Sequence, residues 1–314
     1  MHESVLSLSI FGHTVYAYGA AVALGVMVCL LPLFLSLRRA GEQKRLLSML
    51  LWMLPAGFLG GRLLYCLCQI RYILLENDLG YVLRFTDGGY MLYGVMGGAA
   101  LGLLLYAKLT KASFARLADA VAPAAALLIA IARSAECMTA CGVGWSVEGE
   151  GLCFFPVAVM NEWQEWKYAV FVWEAAVALG LFIFLLIRQR KGRPAAMPFV
   201  LVYAATQLLM ESLRKDDVMC FGFVKVSMLI SAILLALVSI RWLARGVKGA
   251  KLGLALLVLG LGAIIALEFA LDKSSVPNEI VYGLMLVVVA LLCALLLRQN
   301  RRAEDAATAA SVKA

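Results

Sequence analysis

Residues 118–139 read ADAVAPAAALLIAIARSAECMT, a run that is apolar at every position from Ala120 to Ala132, with Asp119, Arg133 and Glu136 standing near its ends. A hydrocarbon core of about 30 Å is crossed by about 20 helical residues, so the run is long enough to span a bilayer. Working outward, comparable runs lie near 14–37, 47–69, 89–107, 168–187, 196–213, 226–244, 252–271 and 279–297, which makes nine. The composition agrees. Of 314 residues, 63% are hydrophobic and 15% charged, with a mean hydropathy of +0.90, against about 45–50% apolar and about 25% charged in soluble domains. The reading is an all-α, polytopic membrane protein, and no soluble domain of any size is visible.

The direction of the spans follows from the basic residues. There are 28 Lys and Arg against 20 Asp and Glu. Nineteen of the 28 fall after the odd-numbered spans: Arg38, Arg39, Lys44 and Arg45; Lys108, Lys111 and Arg116; Arg188, Arg190, Lys191 and Arg193; Arg241, Arg245, Lys248 and Lys251; Arg298, Arg301, Arg302 and Lys313. Cytoplasmic loops collect positive charge, so the expectation is an N-terminus outside and a C-terminus in the cytoplasm. The net charge of +8 is then a topology signal, and no nucleic-acid partner is expected. The N-terminus has no basic region and no small-residue cleavage site, so no removable signal peptide is expected.

The loop near 140–167, with Glu148, Glu150, Glu162, Glu165, Trp163 and Trp166, suits a short structure at the outer interface, and the tail from 303 reads as disordered. No internal repeat stands out. The two histidines, His2 and His13, precede the first span, so no intramembrane imidazole is available. The eight cysteines form no CxxC pair; zinc is disfavoured and most read as small apolar fillers. A disulfide among the outer cysteines Cys137, Cys141, Cys153 and Cys220 is an open expectation, because extracytoplasmic thiols can oxidise.

Charge inside lipid costs roughly 2.5–3.5 kcal/mol on insertion scales, so each such group needs a partner or a purpose. Arg62, Arg133, Glu136, Glu174, Glu211 and Arg214 all lie in the outer third of their spans. Arg133 and Glu136 are one turn apart, as are Glu211 and Arg214, and Tyr203, Gln207, Glu211 and Arg214 share one helical face. Gly60, Gly61, Gly88, Gly89, Gly94, Gly97 and Gly98 mark the same level. Two readings compete: structural ion pairs with glycine packing sites, or a polar cavity open to the outer leaflet in which arginine forks meet a phosphate. Asp119 reads as a carboxylate favoured by a helix start, and Glu268 as an interfacial charge.

These residues resemble the prolipoprotein diacylglyceryl transferases over about residues 14–245. The likeness rests on Tyr18-Gly19, Gly60-Gly61-Arg62 with Tyr65, Asp87-Gly88-Gly89, the stretch from Ala107 to Phe114, and Asp119 with Pro123. Arg133 opens and Gly144 closes the family's signature segment, and Tyr203, Glu211, Arg214 and Ser231 follow. The departures are Tyr93-Gly94-Val95 for the family's His-Gly-Gly, Glu136 for its asparagine, Ala135 for its glycine and Gln207 for its catalytic arginine. Of its His-containing motif in the fifth span only Glu174 remains.

The resemblance implies a transferase that moves diacylglycerol from phosphatidylglycerol, or a related anionic lipid, to the lipobox cysteine of a preprolipoprotein signal peptide, in the bacterial cytoplasmic membrane and with no cofactor. It implies catalytic roles for Arg133, Tyr93 and Tyr18, and substrate contacts from Arg62, Glu136, Gly144, Tyr203, Gln207, Glu211, Arg214, Glu174 and Gly94. It divides the chain into a seven-helix domain at 14–245, two further helices at 246–302 and the tail at 303–314. A lapsed or repurposed lipid- or lipoprotein-binding protein of the same fold is the alternative. A small-anion transporter ranks last, since the midplane carries almost no charge.

Overall fold

A computed structural model describes residues 7–10, 13–76, 79–85, 88–139, 141–147, 149–161, 163–215, 220–221, 224–273 and 276–313. A two-stranded hairpin, β1 (Ser7–Ile10) and β2 (His13–Tyr16), leads into α1 (Ala17–Arg39). Then come α2 (Leu46–Cys68), a short α3 (Ile70–Glu76), α4 (Leu92–Leu109), α5 (Phe114–Ala135), α6 (Val170–Arg190) and α7 (Ala196–Leu213). The chain ends with α8 (Val226–Ala244), α9 (Ala250–Lys273) and α10 (Asn278–Lys313). Among the described residues, nine helices are long and apolar enough to cross a membrane, in the places the sequence predicts. The exception is the last boundary. α10 runs on to Lys313, so the stretch expected to be a disordered tail continues the final helix, with Glu304 paired to Arg188 at 2.6 Å.

The spanning helices alternate in direction. α1, α4, α6 and α8 begin on one face of the bundle, here called the starting face, and α5 and α7 end there. Two further hairpins dress that face: β3 (Ala158–Met160) with β4 (Trp166–Tyr168), and β5 (Cys220–Phe221) with β6 (Val224–Lys225). Among the described residues, Cys137, Cys141 and Cys153 are not joined to one another by a disulfide, so the expected bridge does not form among them. Asp87, Glu148, Glu162 and His2 lie outside the described residues, as do the side chains of His13, Glu150 and Cys220.

Glycine governs the tightest helix contact. A Cβ on Gly60 would stand 2.5 Å from the Gly94 carbonyl, and one on Gly102 2.5 Å from the Trp52 carbonyl. At Gly98 it would collide with the Ala56 carbonyl. α2 and α4 therefore meet backbone to backbone, the close approach that small residues allow in membrane helices. The glycines at 60, 94 and 98 thus serve helix packing.

Three apolar cores run through the bundle. One joins α1, α2, α4 and α5 around Leu33, Met49, Leu103 and Leu117. A second joins α4, α5, α6 and α7 around Ala126, Leu181 and Tyr203. The third holds α7 against α8, α9 and α10 through Leu208, Leu235, Leu257, Met285 and Leu296. The last two helices thus share a core with α7 and α8, and the packing continues across the division expected at 245. At the far face Asp119 does not serve its own helix. Its Oδ1 accepts the N–H groups of Ala195 and Ala196, both at 2.8 Å, and so caps the first turn of α7.

Candidate functional site

α5 brings Arg133 and Glu136 to the starting face at its last turn, α6 brings Glu174 in its first turns, and α7 ends there with Gln207, Glu211 and Arg214. Four of these close into a ring of alternating charge. Arg133 Nη1 donates to Glu136 Oε1 at 2.5 Å, and Arg214 Nη2 to Glu136 Oε2 at 3.1 Å. Arg214 Nη1 donates to Glu174 Oε2 at 2.7 Å, and Arg133 Nε stands 3.2 Å from the same oxygen. Gln207 Nε2 donates to Glu174 Oε1 at 3.3 Å, so Glu174 gathers three neighbours. Residue exposure is 7% at Glu136, 3% at Glu174, 4% at Gln207 and 7% at Arg214, which removes the ring from bulk water.

Burial on this scale requires pairing. An isolated guanidinium or carboxylate in an apolar medium costs several kcal/mol, and its partner in the ring repays that only with good geometry. Several local features supply the geometry. Arg133 and Glu136 are one helical turn apart. Gly142, at φ +81°, leaves the room that Glu136 occupies; a Cβ there would strike its carboxylate. Gly144 pairs by backbone with Arg214, and a Cβ on it would stand 2.7 Å from the Leu213 carbonyl. Lys225 Nζ donates to the carbonyls of Glu211 at 2.6 Å and Arg214 at 2.5 Å, fixing the end of α7.

Two polar atoms in the ring are left over. Arg133 Nε is buried without a properly aligned hydrogen bond despite its short distance to Glu174, and Gln207 Oε1 is buried with no donor. An open donor and an open acceptor beside one carboxylate are what a bound polar ligand would use, because buried polar groups are otherwise satisfied.

The aromatic residues stand next to the ring. The hydroxyls of Tyr93 and Ser231 are hydrogen-bonded to each other, and Ser231 also donates to the Ser227 carbonyl at 2.8 Å. Tyr203 lies with its ring centroid 5.9 Å from that of Tyr93 and is stacked on Phe199. Tyr18 is within electrostatic reach of Glu136, Arg133 and Arg214.

The sequence reading placed three arginines and three carboxylates at one depth, and the structure divides them. Arg62, 1% exposed, is turned away from the ring. It donates to the carbonyl of Gly88, to Gly89 O at 3.3 Å, to Tyr81 O at 2.6 Å and to Val82 O at 3.4 Å, and packs over the Tyr81 ring at 4.7 Å. It ties down the segment between α3 and α4. Arg214 pairs with Glu136 and Glu174 and not with Glu211, its neighbour on α7. Gly94 and Gly144 make room for backbone. Ser231 as the partner of Tyr93, and Lys225 as the clamp on α7, were not assigned those places from sequence. Ser231 lay in the family pattern, but no spacing rule joins it to Tyr93.

Comparison with known proteins follows the same stretch. Residues 5–244 match the family described as prolipoprotein diacylglyceryl transferase. The phosphatidylglycerol–prolipoprotein diacylglyceryl transferase of Listeria innocua is 28% identical over 232 residues, covering 70% of this chain and 82% of that one. The protein of Clostridium perfringens named phosphatidylglycerol–prolipoprotein diacylglyceryl transferase 2 is 26% identical over 232 residues, covering 72% and 89%. That of Lactobacillus delbrueckii subsp. bulgaricus is 26% identical over 246 residues, covering 74% and 87%. The match ends with α8, so α9 and α10 lie beyond it. With more than half of its length matched, from the first hairpin to the end of α8, the chain belongs to the prolipoprotein diacylglyceryl transferase family.

Proposed function

We propose that this chain transfers the diacylglyceryl group of a glycerophospholipid to the lipobox cysteine of a lipoprotein precursor, the reaction for which its relatives are named, with phosphatidylglycerol the donor those names carry. The observation that carries the reading is the convergence of Arg133 and Arg214 on one buried site in the family's matched stretch, with the hydroxyls of Tyr18 and Tyr93 beside it. The thiolate sulfur would attack the glyceryl carbon, and the carbon–oxygen bond to phosphate would break. The electron pair would leave on the headgroup phosphate. Charge therefore grows on phosphate in the transition state, where preorganised guanidinium donors act most strongly. Glu136 and Glu174 hold the two forks in place and must yield part of their contacts when phosphate enters.

The positive-inside pattern supports placing the starting face outside the cytoplasmic membrane of a bacterium, where a lipid headgroup and an exported precursor would both arrive. A second reading, a lipid- or lipoprotein-binding protein without turnover, is favoured by one feature: both arginines already face carboxylates. Vesicles of bacterial polar lipid containing the protein and a lipobox peptide separate the two. Catalysis is expected to give a thioether-linked diacylglyceryl peptide by mass, lost in Arg133→Ala. No product above that variant would leave the binding reading.

A further inference from the structure

We infer that Gln207 is a specificity-determining residue whose side-chain oxygen accepts a hydrogen bond from a hydroxyl of the donor lipid's headgroup. The site then selects a phosphodiester with a hydroxylated headgroup over one of the same charge without hydroxyls. The inference rests on the transferase reading for its chemistry, but its binding part can be measured alone.

Glu174 fixes which way the Gln207 amide faces. Nε2 donates to Glu174 Oε1 at 3.3 Å, and turning the amide over would set its oxygen against a carboxylate that has no proton to give. Glu174 is in turn held by Arg214 Nη1 at 2.7 Å and approached by Arg133 Nε at 3.2 Å. Gln207 Oε1 is therefore left facing away from Glu174, buried with no donor, on a residue that is 4% exposed. A buried acceptor without a donor costs free energy, which a matching ligand hydroxyl recovers.

The rest of the site indicates where that hydroxyl comes from. Arg133 Nε is an open donor on the other oxygen of the same carboxylate, and it suits a phosphate oxygen. A phosphate seated there brings its headgroup with it, and a polyol headgroup carries a hydroxyl on the second carbon from the ester oxygen, a small donor with no charge of its own to desolvate. The other reactant supplies no such donor, because the attacking sulfur is a thiolate and has lost its proton. The protein's own hydroxyls nearby are engaged: those of Tyr93 and Ser231 bond to each other, and Ser231 bonds to the Ser227 carbonyl.

Gln207 forms and breaks no covalent bond in this role. Its hydroxyl contact lies on the headgroup side of the phosphate, away from the carbon–oxygen bond that breaks, and so is the same before and during the transfer. Such a contact shows in KM and leaves kcat nearly unchanged.

The test uses the full-length protein and two anionic lipids, phosphatidylglycerol and phosphatidyl-1-propanol, which share phosphate, charge and acyl chains and differ only in the headgroup hydroxyls. Phosphatidylcholine vesicles doped with either lipid are assayed for thioether product on a lipobox peptide, with donor acyl chains unlike those of the matrix so that product mass reports the donor. Short-chain forms of both lipids are titrated against the melting of the purified protein. Phosphatidylglycerol is expected to show the higher apparent affinity in both formats, by about tenfold or more, with kcat nearly unchanged. Gln207→Met removes the acceptor, and Gln207→Arg removes it while keeping a donor for Glu174. Each is expected to bring the two lipids level, and the second serves if the first fails to fold. Equal use of the two lipids by the unaltered protein overturns the inference and leaves the transferase reading standing. So does a preference that survives in either folded variant. If phosphatidylglycerol wins in melting, a variant levels the two lipids and no lipid yields thioether, the headgroup assignment holds and the transferase reading fails.

Discussion

Replacing Glu174 with Gln is the sharpest probe of the ring. Glu174 receives Arg214 Nη1 at 2.7 Å, Arg133 Nε at 3.2 Å and Gln207 Nε2 at 3.3 Å, and is 3% exposed. Removing one partner of a buried ion pair costs about 3–5 kcal/mol, because the other charge is left uncompensated. Here each guanidinium keeps Glu136, at 2.5 Å and 3.1 Å, so neither is stripped bare. The expected loss is therefore at the low end, about 3 kcal/mol. At about 2 °C per kcal/mol for a chain of this size, the melting temperature should fall by about 6 °C.

Cys29 and Cys66 are buried and free, so with the exposed Cys137 and Cys141 replaced by Ser a thiol-reactive dye gains signal from them on unfolding. The double variant Glu174→Gln with Arg214→Gln should be less destabilised than the sum of the two single variants by about 1–3 kcal/mol. A Glu174→Gln protein melting within about 1 °C of the parent, or strict additivity in the cycle, would refute the claim that the ring is a cooperating unit.

Gly98→Val should separate α2 from α4, because the Ala56 carbonyl already occupies the space of a Cβ; loss of folded protein or a fall of several degrees is expected by the same dye assay, while Gly97→Ala, with nothing within 4 Å, should be nearly silent. Asp119→Ala removes the cap on the first turn of α7 and should cost about 0.5–2 kcal/mol. Measured transfer at a temperature where both proteins are folded should be unchanged, since Asp119 sits at the far end of α5 from Arg133.

The spans were legible because length and hydropathy set them without reference to any partner, and eight of the nine ends fall within a few residues of the expected ones. The end of α10 was not, because polarity beyond residue 300 resembles a solvated tail. Its helix is held by contacts from elsewhere, such as Arg188 to Glu304 and Gln299 Nε2 to the Gly249 carbonyl at 2.7 Å. Arg133 and Glu136 were readable as a pair from i,i+3 spacing. The same rule offered Glu211 and Arg214, yet Arg214 caps α7 with extended backbone and turns to carboxylates on two other helices. Depth in the sequence said nothing of azimuth, and azimuth is what sends Arg62 to the carbonyls of 81–89 and Arg133 into the ring. Asp119 failed for a related reason, since its dipole partner is the helix of another segment.

The ring's own distances indicate where a headgroup would enter. Its two shorter contacts are Arg133 to Glu136 at 2.5 Å, within the end of α5, and Arg214 to Glu174 at 2.7 Å, between α7 and α6. Its two longer ones, Arg214 to Glu136 at 3.1 Å and Arg133 Nε to Glu174 at 3.2 Å, cross from the first pair to the second. A hydrogen bond weakens steeply with poor alignment, and the Arg133 Nε contact is the one that lacks it. Either way of opening the ring leaves two neutral pairs, but opening it along this seam gives up the longer contacts and keeps the shorter ones. Arg133 Nε and Gln207 Oε1, the two unsatisfied atoms, both stand beside Glu174, which the seam exposes. Closure of the ring is therefore compatible with entry of phosphate: the seam can yield its weaker contacts while each arginine keeps the carboxylate that orients it.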